Sequence, residues 1–155
     1  RMVLKNKKMD SQKNSNAILI SLILDKVISQ LMKNGKKSKA EKIFKKVFIK
    51  LFIKGFSPVD VLFLAVLNTK PILEVRNVRL RGKSFQVPFP LHSSRQISLA
   101  LKTILQFSKT KQKIEDSLVE EIISSSLGRS QSVKHVTSVH KLASQNRVFS
   151  HYRWF

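Results

Sequence analysis

The sequence predicts a mainly α-helical protein, a six-helix bundle-like body with one β-hairpin arm projecting between the third and fourth helices. Three observations predict it. Apolar residues recur at three- and four-residue spacing along most of the chain, and only residues 72–89 alternate instead. All four glycines, at 35, 55, 82 and 128, fall where that periodicity breaks. The chain has 155 residues, 42% of them hydrophobic, and no cysteine. That is long enough to bury one core without disulfide support.

Residues 1–14 are polar and lysine-rich with little periodicity, and read as a flexible basic tail. Residues 15–155 read as one domain, with residues 71–91 as its arm. The first helix is predicted over residues 15–33, where Ile20, Leu24, Val27, Ile28 and Leu31 share a face. It stops at Asn34-Gly35. Ser38-Lys39-Ala40-Glu41 has the S-x-x-E spacing of a capping box and is predicted to open the second helix. Its apolar face is Ile43, Phe44, Val47, Phe48, Leu51 and Phe52, and its other face is Lys42, Lys45, Lys46 and Lys50. Ser57-Pro58-Val59-Asp60 starts a third helix, with Ser at the N-cap, Pro at the first helical position and an acid in the first turn. It must end before Pro71.

Residues 72–81 and 84–89 then read as two strands joined at Gly82-Lys83, a type II′ turn with glycine first. Pro88 and Pro90 exclude a further strand beyond the second arm. A fourth helix is predicted over residues 93–108, with Ser93 and Gln96 as a second capping box. A fifth covers residues 114–127 and holds Glu115, Asp116, Glu120 and Glu121, read as a solvated face near the helix N-terminus. The sixth covers residues 133–149.

Charge is the outlier. Thirty Lys+Arg stand against nine Asp+Glu, a formal net charge of +21. A folded domain this basic needs a polyanion, and nucleic acid is the default partner. The most apolar run, residues 17–24, is too short for a bilayer core that takes about 20 residues, so no membrane span is expected. Catalytic signatures are missing: there is no Gly-rich phosphate loop and no G-x-S-x-G elbow. His92, His135, His140 and His151 show no metal-binding spacing. No enzyme, cofactor or metal is expected.

Three places carry binding chemistry. Lys33-Asn34-Gly35-Lys36-Lys37 is either a helix end whose lysines complement the dipole or a phosphate clamp. The hairpin carries Arg76, Arg79 and Arg81, with Lys83 at the predicted tip, in a chain where arginine is otherwise scarce. Alternation puts Arg76 on the face opposite Arg79 and Arg81. The arginine fork suits phosphates and base edges, so binding is favoured over simple edge protection. The ending His151-Tyr152-Arg153-Trp154-Phe155 contains the only Tyr and the only Trp. These rings either stack on unpaired bases or pack back on the protein.

The same places carry a family resemblance. Leu31-Met32-Lys33-Asn34-Gly35-Lys36-Lys37-Ser38-Lys39-Ala40-Glu41 resembles the L-M-x-D-G-K-K-S-x-A-E signature of small-subunit ribosomal protein 7. Lys70-Pro71-Ile72-Leu73-Glu74-Val75-Arg76, then Val78-Arg79, Gly82 and Gln86-Val87-Pro88, is similar to that family's hairpin. Val139-His140-Lys141-Leu142-Ala143-Ser144-Gln145-Asn146-Arg147, then Phe149 and His151-Tyr152-Arg153-Trp154, resembles its ending. The resemblance implies six helices with a hairpin between the third and fourth, and no catalytic activity. It implies binding to the 3′ major (head) domain of small-subunit rRNA, nucleation of head assembly, and head and platform proteins as neighbours. It also implies an arm near mRNA and exit-site tRNA.

By matching position, Lys36, Lys37, Arg76, Arg79 and Gln86 fall on the family's basic turn and hairpin. Arg95 falls on its basic stretch before the fourth helix, and Lys134 on the start of the sixth. With the readings above, the candidate RNA-binding set is completed by Lys33, Arg81, Lys83, Lys141, Arg147, Tyr152, Arg153 and Trp154. The family's proline-containing pattern before the first helix is absent here. The bias toward Lys, Ile, Phe and Asn resembles an organelle-encoded, mitochondrial member. The competing expectation is a basic helical DNA-binding or nucleoid protein, and a third is a membrane-surface protein using the first helix.

Overall fold

The computed structural model describes residues 20–109 and 113–153. Its elements are α1 (the helix over residues 20–31), α2 (Lys37–Ile53), α3 (Pro58–Thr69), β1 (Leu73–Leu80), β2 (Lys83–Pro90), α4 (Ser93–Phe107), α5 (Ile114–Ser126) and α6 (Gln131–Gln145). A 3-10 segment, Arg147–Tyr152, follows α6. The predicted tail and Trp154 lie outside the described residues.

The core forms where the helical stripes meet. Ile23 and Val27 of α1, Phe44, Val47 and Leu51 of α2, and Val61, Leu62, Ala65 and Val66 of α3 pack against Ala100, Leu101, Ile104 and Leu105 of α4 and Leu118, Val119 and Ile122 of α5. Each fully buried side chain of this size contributes about 1.5–3 kcal/mol relative to exposure. The hairpin and α6 lie to one side of this cluster. They bury Val87, Val136 and Ala143. Phe52 departs from the expected apolar face of α2: it is 75% exposed, and Phe48 is only half-buried. The stripe of α2 is narrower than the sequence implied, because its buried residues are Ala40, Phe44, Val47 and Leu51 alone.

Several helix ends differ from expectation. Ala40 N–H donates to the Lys36 carbonyl, so Lys36 is the N-cap and Ser38 lies inside the first turn. The capping box at 38–41 therefore does not form. Nor does the second one: His92 is the N-cap of α4, and Gln96 Nε2 donates instead to the Leu91 carbonyl at 2.8 Å. Ser57 caps α3 in extended geometry, with Pro58 first and Asp60 in the first turn as expected, but its side chain makes no cap hydrogen bond. The true side-chain cap is Ser130, whose Oγ accepts from Val133 N–H at 3.1 Å and starts α6 two residues early. The other end of α6 is also early. Asn146 caps it, and the chain tightens into the 3-10 segment rather than continuing to residue 149.

The hairpin pairs Leu80 with Lys83. The two turn residues are thus Arg81 and Gly82, at φ 47° and 80°. Two left-handed residues make this a type I′ turn, not the type II′ turn expected at Gly82-Lys83. Arg81 rather than Lys83 occupies the tip, and the alternation that put Arg81 on Arg79's face ends one residue earlier.

The acidic face of α5 is not simply solvated. Glu115 accepts from Lys46 at 3.0 Å and Lys50 at 3.3 Å, and Asp116 accepts from Lys50 at 2.6 Å. The hydrogen bond to Lys46 is the main cause of a lowered Glu115 pKa, and that to Lys50 lowers Asp116. The Asp116 bond in turn raises Lys50. Glu121 accepts from the backbone and hydroxyl of buried Ser132, fixing α5 to the start of α6.

Candidate nucleic-acid interface

The first basic turn is built by backbone conformation. Asn34 and Gly35 take φ of 51° and 71°, which reverses the chain between α1 and α2. Lys36 N–H closes on the Lys33 carbonyl at 3.1 Å. Lys33, Lys36 and Lys37 are all exposed, and Lys37 reaches Glu41 only at 4.0 Å. No acid occupies the first turn of α2. The positive end of that helix dipole therefore adds to the ammonium groups instead of being offset.

A cleft of about 400 Å³ opens beside this turn, between the ends of α1 and α4 and the start of α5. Lys33, Lys102 and Lys109 line it together with Gln30 and Gln106. Sequence reasoning missed Lys102 and Lys109. Both lie outside the three motifs, and Lys109 follows the end of α4, so helical spacing does not pair it with Lys102.

Helix α4 is the strut that joins the basic elements. Lys26 Nζ donates to the Ser94 carbonyl at 3.3 Å, and Gln30 Nε2 to the Ser98 carbonyl at 2.8 Å, holding α1 along it. At its start, the Arg95 guanidinium places Nε and a terminal nitrogen on Glu74 Oε2, both at 3.1 Å. Arg76 pairs with the other oxygen of Glu74 and lies 5.0 Å over the Phe89 ring. The structure thus brings Arg76 and Arg95 together on one half-buried carboxylate. Part of their charge is spent within the protein.

Arg79, Arg81 and Lys83 are exposed and among the described residues have no carboxylate partner. Gln86 is exposed too, yet its Oε1 accepts from Asn146 Nδ2 at 3.3 Å, which links the arm to the end of α6. His140 Nε2 accepts from Ile72 N–H at 3.1 Å and fixes α6 to the base of the arm. Lys134, Lys141 and Arg147 are exposed along this side.

The ending packs back on the protein. Phe85 of β2 meets Phe149 at 5.2 Å and Tyr152 at 5.3 Å, centroid to centroid. His151 and Tyr152 are 4.0 Å apart. Tyr152 is half-buried, and Arg153 Nε is buried without an acceptor among the described residues. Of the two readings of these aromatics, packing is the one that Tyr152 follows. A cavity of about 530 Å³ remains between Tyr152, Phe85 and the tip residues Leu80, Arg81 and Lys83. Among the described residues, no group of His, Asp and Glu is placed to hold a metal, and no helix is long and apolar enough to cross a membrane.

Residues 1–147 match the sequence profile of the family described as Ribosomal protein S7p/S5e. The chain belongs to this family. A small ribosomal subunit protein uS7 from Phytoplasma australiense is 38% identical over 144 residues, covering 91% of this chain and 92% of the relative. Another from Citrifermentans bemidjiense is 37% identical over 135 residues, covering 85% and 86%. A third, from Aster yellows witches'-broom phytoplasma, is 36% identical over 151 residues and covers 96% of each chain. Membership of the S7 family removes support from the DNA-binding alternative. The arm lies between α3 and α4, where the resemblance implies it.

Proposed function

We propose that the protein is a non-catalytic structural component of the small ribosomal subunit. In this reading it binds the 3′ major (head) domain of the subunit's rRNA and helps to nucleate the head. The family match carries it, because it spans 147 residues and relatives of nearly equal length are named as small-subunit proteins. The geometry supports it. A strut helix ties the exposed lysine turn, the arginine arm and the start of the sixth-helix side into one body, so phosphates at several points can be held at fixed spacing. RNA shape rather than deep-groove base edges is what such an arrangement reads.

The RNA-binding residues of this reading are Lys33, Lys36 and Lys37 at the turn, with Lys102 and Lys109 added. Arg79, Arg81 and Lys83 serve on the arm, and Lys134, Lys141 and Arg147 beside it. Arg76 and Arg95, held side by side on Glu74, contribute the guanidinium nitrogens that the carboxylate does not use, with Gln86 on the arm and Tyr152, Arg153 and Trp154 at the end of the chain. The arm lies toward mRNA and exit-site tRNA, and other head and platform proteins are neighbours. Residues 1–14 are a basic tail on a single domain. The compositional bias toward Lys, Ile, Phe and Asn supports a mitochondrial member, although the relatives described above are bacterial.

Binding to a head-domain transcript tests the proposal, against a scrambled RNA of equal length, over 50 to 200 mM salt. Shape-specific binding keeps a large preference for the head domain at the higher salt. Equal affinities that fall together by about 10³–10⁵, the cost of releasing counterions from six to ten contacts, would refute it.

A further inference from the structure

The outward face of α2 carries an exposed apolar patch. Its last two turns expose Ile49 at 59%, Phe52 at 75% and Ile53 at 76%, and Phe56 follows after the turn at 40%. Ile49, Phe52 and Ile53 have i, i+3, i+4 spacing, so they form one continuous apolar patch. Lys42, Lys45 and Lys46 precede it on the same face and are exposed. Among the described residues, Lys42 and Lys45 have no carboxylate partner. A cavity of about 240 Å³ adjoins Ile53, between Lys50, Lys54, Asp116, Val119 and Glu120. Phosphate and ribose can satisfy lysines, but they do not cover three large aliphatic and aromatic side chains. Exposed apolar clusters of this kind mark protein contacts.

From this we infer that the outward face of α2 docks an acidic amphipathic helix of another protein of the subunit. Carboxylates of that helix lie against Lys42 and Lys45, since Lys46 is already held by Glu115, and its apolar residues cover Ile49, Phe52 and Ile53, one of them entering the cavity beside Ile53. Charge complementarity selects this occupant. Residues 1–19 of the chain itself carry Arg1, Lys5, Lys7, Lys8 and Lys13 against the single acid Asp10, so they are repelled from the same lysines. A second copy would oppose lysine to lysine. The inference rests on the protein being a subunit component.

Photocrosslinking in the assembled particle tests it. Small subunits are assembled with protein carrying p-benzoylphenylalanine in place of Phe52, irradiated, and the adduct is identified by peptide mass spectrometry. The expected product joins position 52 to an acidic, apolar-faced helix of another subunit protein. Lys42→Glu with Lys45→Glu, or Ile49→Ser with Ile53→Ser, abolishes that adduct while helicity is retained, since all four positions are exposed. An adduct to RNA, lipid, residues 1–19 or a second copy overturns the inference, as does no adduct in particles that contain the protein. Failure to enter the particle at all overturns the subunit reading with it.

Discussion

Replacing Arg81 by Asn separates what the tip of the arm does for folding from what it does for RNA. Arg81 sits at φ 47° beside Gly82 at φ 80°, the first position of a type I′ turn. Left-handed backbone costs an ordinary L-residue roughly 1–2 kcal/mol, and Asn much less because its short amide serves the turn locally. Arg81 is exposed and among the described residues pairs with no acid, so no visible contact offsets that cost. Arg81→Asn should therefore stabilise the protein by on the order of 0.5–1 kcal/mol, about half of the left-handed cost. For a chain of this size that is a rise in Tm of about 1–4 °C. The same change removes one cation from the arm. The slope of log K against log salt for the head-domain transcript should fall by about 0.7–0.9, and affinity at low salt should weaken. Thermal melting by circular dichroism and filter binding read the two effects separately. A lower Tm would mean that the Arg81 side chain holds the turn. An unchanged slope would mean that it meets no phosphate.

Other expectations follow from packing and charge. Leu51→Ala should cost about 2–5 kcal/mol, whereas half-buried Phe48→Ala should cost about 1–2 kcal/mol; denaturant titration giving equal costs would show that the edge of the core is misplaced. Ser130→Ala removes the α6 cap and leaves Ser125, which donates to it at 2.9 Å, without its partner. A loss of about 1–2 kcal/mol is expected, and a change within error in the denaturation midpoint would rule out the cap. Glu115 and Asp116 have folded pKa values below their ordinary 4.5 and 3.8, so their contribution is present above those values and is lost as pH falls through the lowered ones. Lys50 is raised above 10.5, so its contribution is present below that value and lost as pH rises through the raised one. Lys50→Met should flatten both limbs of a stability profile measured by urea midpoint against pH, and limbs as steep as in the unchanged protein would contradict the pairing.

Much of the fold was legible because it is local. Helix interiors follow from apolar spacing, and the breaks at Gly35, Gly55 and Gly128 follow from the left-handed backbone they adopt there. Ends were harder. S-x-x-E at 38–41 is a true pattern, but the preceding Asn34-Gly35 reversal lets the helix start two residues sooner, which strands Ser38 inside it. The hairpin turn was misread for a related reason. Gly82 can be the first residue of a type II′ turn or the second of a type I′ turn, and an Arg before it argues against the latter. Cross-strand pairing decided the matter, and pairing is not a local property. The site divides in the same way. Exposed cations of the turn and the arm could be named from spacing. The sharing of Glu74 by Arg76 and Arg95, and the meeting of Phe85 with Tyr152, join residues 21 or 67 positions apart and leave no trace in any single segment.

The brace between Phe85 and the 3-10 segment sets an order of events during synthesis. Residues 147–152 are made long after the arm, so the newborn hairpin waits, bare on its aromatic side, until they emerge. A polypeptide halted before them retains every member of the central core but not this clasp. The arm's final seating therefore requires that translation has passed residue 152.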